Sequence, residues 1–101
     1  MGKSRRMNIL FVENHRVFAD IAVKTFLTDH CVTIVPTITE ARRILSQATF
    51  DVVLLDYDLD DGKGSELVAD IKNQAVRPII IAVSSHDAGN SQLLREGADY
   101  V

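Results

Sequence analysis

Four short apolar runs rich in β-branched residues recur along the chain, at 8–12 (NILFV), 32–35 (VTIV), 51–55 (DVVLL) and 79–83 (IIIAV). Each is close to continuously apolar rather than alternating, the pattern of a strand covered on both faces and hence of a parallel sheet. Between the runs the apolar positions change to helical spacing. Val17, Ile21 and Phe26, with Phe18, Ala22 and Thr25, make one stripe; Ala41, Ile44, Leu45 and Ala48 make a second; Leu67, Val68 and Ile71 make a third. Thr37-Ile38-Thr39-Glu40 reads as a capping box that opens the second helix, the Thr37 hydroxyl and Glu40 carboxylate each satisfying a free backbone N–H. A short fourth helix is expected over 90–96, with Leu93 and Leu94 inward and Gly97 as its stop, and Tyr100-Val101 begins a fifth strand. Strands alternating with helices predict an α/β fold: a doubly wound parallel sheet with right-handed crossovers and helices on both faces. No repeat, low-complexity tract or Pro/Gly-rich linker interrupts this alternation, so one domain over 8–101 is expected after a tail over 1–7.

In such sheets ligands bind at the rim formed by the carboxyl ends of the strands. The first run ends in Glu13-Asn14-His15, the third in Asp56, and the fourth in Ser84-Ser85-His86. Asp56 is followed by Asp58, Asp60 and Asp61, with Gly62 and Gly64 close behind. Carboxylates crowded in this way repel one another unless a cation sits among them. Glu13, Asp56, the amide oxygen of Asn14 and a backbone carbonyl at Asp58 form a hard oxygen set of the kind that suits Mg²⁺, which keeps waters and accepts a phosphate oxygen. A carboxylate is also a competent nucleophile towards phosphorus, and Ser84 offers a hydroxyl to a phosphoryl group placed on Asp56. The residues alone leave this reading and that of a solvated acidic turn both open.

The composition narrows the class. At 101 residues, 47% hydrophobic and 25% charged, the chain has the length and makeup of one small globular domain. A net charge of −3 supplies no field for nucleic acid or an anionic membrane, and the only basic cluster is Lys3, Arg5 and Arg6 in the tail. Cys31, the single cysteine, allows no internal disulfide and suits a reducing compartment; it is expected to start an internal strand as a small hydrophobe. No run reaches the ~18–20 apolar residues of a membrane span and no signal peptide is evident, so a cytoplasmic location is expected. His15 and His86 read as solvated or capping residues, His30 beside Asp29 as part of a surface turn, and Tyr57 as a half-exposed rim residue.

Taken in order, these motifs resemble the receiver domains of two-component response regulators, from Asn8 to Val101. Phe11-Val12-Glu13-Asn14-His15 resembles the acidic pair after strand one, its trailing His being similar to receivers that precede LuxR/NarL-type DNA-binding domains. Leu54-Leu55-Asp56-Tyr57-Asp58-Leu59 resembles the phosphoacceptor motif, Ala82-Val83-Ser84-Ser85 the switch Thr/Ser motif, and Glu96-Gly97-Ala98-Asp99-Tyr100-Val101 the approach to strand five. The resemblance implies a flavodoxin-like sheet of strand order 2-1-3-4-5, with Asp56 as phosphoacceptor, Ser84 as the hydroxyl that reports phosphorylation and Tyr100 as the aromatic switch. It implies Mg²⁺ held by Glu13, Asn14, Asp56 and the Asp58 carbonyl, and a sensor histidine kinase or phosphotransfer protein as donor; a homodimer stays open. It also implies a signalling domain rather than an enzyme in the ordinary sense.

The sequence departs from the family pattern in specific places. Asn14 stands where a second aspartate is usual, and one unit charge at ~4 Å is worth about 4 kcal/mol at an effective dielectric near 20, so Mg²⁺ affinity is expected to fall. Asp60 stands where Pro is usual. The family's Lys after strand five and its fifth helix, which covers the sheet beside helix one, lie beyond Val101; the 101 residues are therefore expected to belong to a longer chain or to have that face covered by a partner. A degenerate receiver acting as a phosphorylation-independent interaction module is the second reading. A third rests on Asp56-Tyr57-Asp58, which resembles the Asp-x-Asp motif of haloacid-dehalogenase-type phosphatases.

Overall fold

All four apolar runs form strands, and they do so side by side. The computed structural model describes residues 6–84 and 87–101. In chain order the elements are β1 (Asn8–Val12), α1 (Arg16–Phe26), β2 (Cys31–Val35), α2 (Ile38–Gln47), β3 (Val52–Leu55), the two-residue strands β4 (Asp58–Leu59) and β5 (Gly62–Lys63), α3 (Ser65–Lys72), β6 (Ile79–Ala82) and α4 (Asp87–Glu96). The main sheet has the order β2-β1-β3-β6 and is parallel throughout. Tyr100 bridges to Ile81 in parallel, and the Ala82 N–H donates to the Tyr100 carbonyl at 2.8 Å, so the last residues begin a further strand beyond β6. The result is the doubly wound, flavodoxin-like arrangement, with sheet order β2-β1-β3-β6 and Tyr100 bridging the outer edge of β6 where the expected fifth strand begins.

Alternation along the strands divides the sheet residues between two faces. Leu10, Val12, Val53, Leu55, Ile80 and Ala82 join Ile38, Ala41 and Leu45 of α2, Leu67, Val68 and Ile71 of α3, and Leu93 of α4 in one buried core. The opposite face carries Phe11 and Leu54, against which α1 lies; the Phe11 and Phe18 rings meet edge to face, 6.4 Å between centroids. The apolar stripe on α1 is wider than the strip of sheet beneath it. Only Ala19 of this helix is buried, while Val17 and Phe26 are 74% and 79% exposed.

Local chemistry explains the element ends. The Thr37 hydroxyl accepts from the Glu40 N–H at 3.1 Å, the forward half of the expected capping box. Glu40 itself pairs with Arg43, and Asp61, reaching across from the β4–β5 hairpin, accepts from the Ile38 and Thr39 N–H groups at 2.8 and 3.0 Å. Those two N–H groups hold the Asp61 carboxyl below its ordinary value. Gly97 stops α4 as expected, at φ +124°, with its N–H on the Leu93 carbonyl. Gly64 is obligatory for a different reason: a Cβ there would stand 1.9 Å from the Asp56 carbonyl oxygen.

Four expectations are corrected. Leu94, expected to face inward with Leu93, is 43% exposed. Helix α4 begins at Asp87 rather than at residue 90. Cys31 is exposed, because β2 is the edge strand of the sheet rather than an internal one. His30 is more than a surface turn: its Nδ1 accepts the Met7 N–H at 3.1 Å and ties the approach to β1. Lys3 and Arg5 of the basic tail, and Ser85 and His86 at the rim, lie outside the described residues. No helix among the described residues is long and apolar enough to cross a membrane.

Candidate functional site at the sheet rim

The parallel ladder sets the rim. The Glu13 N–H donates to the Val35 carbonyl, Asp56 N–H to Val12, and Val83 N–H to Leu55, at 3.0, 3.1 and 3.1 Å. Each bond extends the sheet by one residue, so three neighbouring strands release Glu13, Asp56 and Ser84 at the same level. They line one cavity of about 400 Å³ together with His15, Phe18 and Val83.

Among the described residues, Glu13 and Asp56 are the two buried charged ones, 3% and 6% exposed. The Tyr57 N–H donates to Asp56 Oδ1 at 2.8 Å. Glu13 Oε2 accepts the His15 N–H at 3.0 Å and stands 3.0 Å from His15 Nδ1. Burial, followed by the negative charge of Glu13, pushes the Asp56 carboxyl up to about 6, against the opposing pull of the Tyr57 N–H. Two carboxylates held this close and this dry make a candidate functional cluster whose mutual repulsion a cation would relieve. Glu13, His15 and Asp56 each offer one ligand atom, all within 4.8 Å of one another, so the residues present fit a divalent ion.

The other candidates are arranged differently. The Asn14 side chain turns to Asp60, donating from Nδ2 to Oδ1 at 3.0 Å, while its own Oδ1 is buried with no hydrogen-bond partner among the described residues. The Asp58 carboxylate pairs with Lys63, whose ammonium also lies 5.2 Å above the Tyr57 ring. Neither Asn14 nor Asp58 lines the cavity. Ser84 is clamped through its backbone, its N–H donating to Asn90 Oδ1 and its carbonyl accepting from Asn90 Nδ2, both at 2.9 Å. Tyr100 stands at the start of the further strand with 61% of its surface exposed. The structure thus brings together Glu13, Asp56 and Ser84, and adds His15 and Asn90, to which the sequence reading gave no role at the site. An Asn six residues after the rim serine was the available signal for the clamp.

A parallel α/β sheet with buried acids at its carboxyl rim defines a class of ligand-binding protein, and the sequence places the chain within it. Residues 9–101 match the response regulator receiver domain, and the chain belongs to that family. No curated protein matches it. Among solved structures it is similar to a response regulator protein from Burkholderia pseudomallei, described with a phosphorylated aspartic acid, a calcium ion and citrate: TM-score 0.80, 21% identity, covering 92% of this chain and 56% of that one. The chain therefore spans little more than half the length of that protein. It is also similar to a CheY-like receiver domain from Methanospirillum hungatei (TM-score 0.82, 24% identity, 95% and 79% covered) and to a response regulator from Chloroflexus aurantiacus (0.85, 14%, 95% and 83%). At these identities the likeness is one of fold.

Proposed function

We propose that residues 8–101 form a phosphoryl-accepting receiver, with Asp56 as the acceptor. An Asp56 carboxylate oxygen attacks the phosphorus of a phosphohistidine on a sensor histidine kinase or phosphotransfer protein. The P–N bond breaks, its electron pair stays on the departing imidazole, and that ring takes up a proton. Burial at the end of β3 keeps the resulting acyl phosphate away from water, and the Tyr57 N–H orients the carboxylate. The Ser84 hydroxyl donates to a phosphoryl oxygen, and its backbone clamp by Asn90 links that event to α4. Tyr100, on the strand beside β6, is the aromatic that senses the shift. A divalent cation such as Mg²⁺, bound through Glu13 and Asp56 with the Asn14 oxygen and Asp58 carbonyl as the remaining family positions, would supply charge neutralisation for the transferring group.

The observation that carries this reading is Asp56 itself: buried, beside a second buried acid, at the end of a central strand of a receiver-family chain. Membership of that family leaves the phosphatase reading without support. The test is incubation with acetyl phosphate and Mg²⁺ followed by intact mass. One added phosphoryl group, abolished by Asp56→Asn, is expected. A chain that stays unmodified at high Mg²⁺ would instead be a phosphorylation-independent interaction module, a reading favoured by the engagement of Asn14 with Asp60. The compartment consistent with a histidine-kinase partner is the cytoplasm.

A further inference from the structure

Two features of the rim do not follow from the family pattern. The residue at the second acidic position, Asn14, spends its amide on Asp60, whereas the next residue, His15, brings a ring nitrogen to the buried acids. His15 Nδ1 lies 3.0 Å from Glu13 Oε2, and one ligand atom from each of Glu13, His15 and Asp56 lies within 4.8 Å of the other two. Ligand atoms bonded at ~2.1 Å to one ion are roughly 3.0 Å apart when adjacent in an octahedron and about 3.4 Å apart in a tetrahedron, so the His15–Glu13 spacing is that of neighbouring ligands. The His15 ring and the Glu13 carboxylate pair with each other, and Asp56 accepts the Tyr57 N–H. A cation entering the cavity finds one ligand atom from each of the three groups within reach.

Resting on the reading of this rim as a cation-assisted phosphoryl site, we propose that His15 Nδ1 is a ligand of that cation beside Glu13 and Asp56, and that it makes the site one for a borderline ion, Mn²⁺ or Zn²⁺, in preference to Mg²⁺. Imidazole suits the first-row transition ions, whereas Mg²⁺ selects oxygen ligands and water. The side chain of His15 is 75% exposed on the wall of the cavity, so its ring is reachable by an ion entering from solvent and its replacement leaves the core intact.

The test combines calorimetric titration of the 101-residue chain with Mg²⁺, Mn²⁺ and Zn²⁺ and pulsed electron paramagnetic resonance of the Mn²⁺ complex, on wild type, His15→Gln and Asp56→Asn. Wild type should bind Mn²⁺ and Zn²⁺ at least tenfold more tightly than Mg²⁺ and show ¹⁴N modulation of the Mn²⁺ echo. In His15→Gln the modulation should vanish and the transition-ion affinity fall about tenfold or more, with Mg²⁺ affinity changed less than threefold; Asp56→Asn should weaken all three ions. Absent modulation in wild type, modulation that survives His15→Gln, or equal losses for all ions in that variant overturns the proposal. In those cases Mg²⁺-dependent phosphorylation of Asp56 would still sustain the receiver reading. A His15-dependent nitrogen signal in a chain that acetyl phosphate never modifies would keep this inference and sink that reading.

Discussion

Replacing Asp56 by Asn should stabilise the metal-free protein at neutral pH while destroying its proposed chemistry. The carboxyl is raised from 3.8 to about 6, first by burial and then by Glu13. At 1.36 kcal/mol per pKa unit, the ionised group opposes folding by at most ~3 kcal/mol, and relaxation of the rim brings the expected gain to about 1–3 kcal/mol. The sign follows from proton counting. Between pH 4 and 6, roughly, native Asp56 keeps a proton that the unfolded chain has lost, so raising the pH through this window destabilises the fold, and the full effect persists above it. The amide is nearly isosteric, still accepts the Tyr57 N–H, and carries no charge to repel Glu13. Urea denaturation followed by circular dichroism, in EDTA from pH 4 to 8, measures the difference. The variant's advantage should be largest at pH 7–8 and shrink steadily towards pH 4, where native Asp56 is neutral and the unfolded carboxyl, with an ordinary value of 3.8, is about half ionised. Adding the bound cation at ten times its Kd should raise wild type by about 1.4 kcal/mol and leave the variant nearly unchanged. Equal or lower stability of Asp56→Asn at pH 7.5 without metal, at an unchanged m-value, would refute the reasoning: the rim would then be solvated well enough to hold both charges.

Gly64→Ala forces a methyl group into the Asp56 carbonyl, and overpacking of that kind should lower urea stability by about 1–3 kcal/mol. Asn90→Ala removes both hydrogen bonds to the Ser84 backbone; a loss of about 1–3 kcal/mol and faster hydrogen exchange at the Ser84 amide are expected. Asp61→Ala unties the N-terminus of α2 and should lower the thermal midpoint at pH 7. Because the Asp61 pKa is depressed, that difference should be present above the ordinary carboxylate range and disappear as the pH falls through it, which melting curves from pH 2.5 to 7 will read.

Most of the fold was legible because its signals are local. Strands covered on both faces must be apolar throughout, and β1, β3 and β6 announce themselves in that way. What was not legible is held by distant contacts. Asp87-Ala88-Gly89-Asn90 has poor helix formers at three of its four positions, yet α4 begins there because Asn90 is bound to the Ser84 backbone and Gly89 packs where a Cβ would stand 2.9 Å from Tyr57 Cβ. Likewise the hydropathy of β2 does not reveal that it lies at the sheet edge, which is what leaves Cys31 exposed. The stripe on α1 was correctly read as apolar, but an apolar stripe states only what a helix is able to bury.

The site divides along the same line, and the division has a physical rule behind it. Glu13, Asp56 and Ser84 were found because strand ends in register place their last side chains together. Assigning Glu13 and Asn14 as a pair, by contrast, took two adjacent residues to face one ligand. The ladder runs on through the Glu13 N–H, and the chain then bends at Asn14 before His15 caps α1. Past that bend Glu13 and His15 meet at the cavity, and the Asn14 amide donates to Asp60. His15 thus lines the cavity beside Asp56 while Asn14 holds Asp60, and it is this placement that the metal titrations of His15→Gln put to the test.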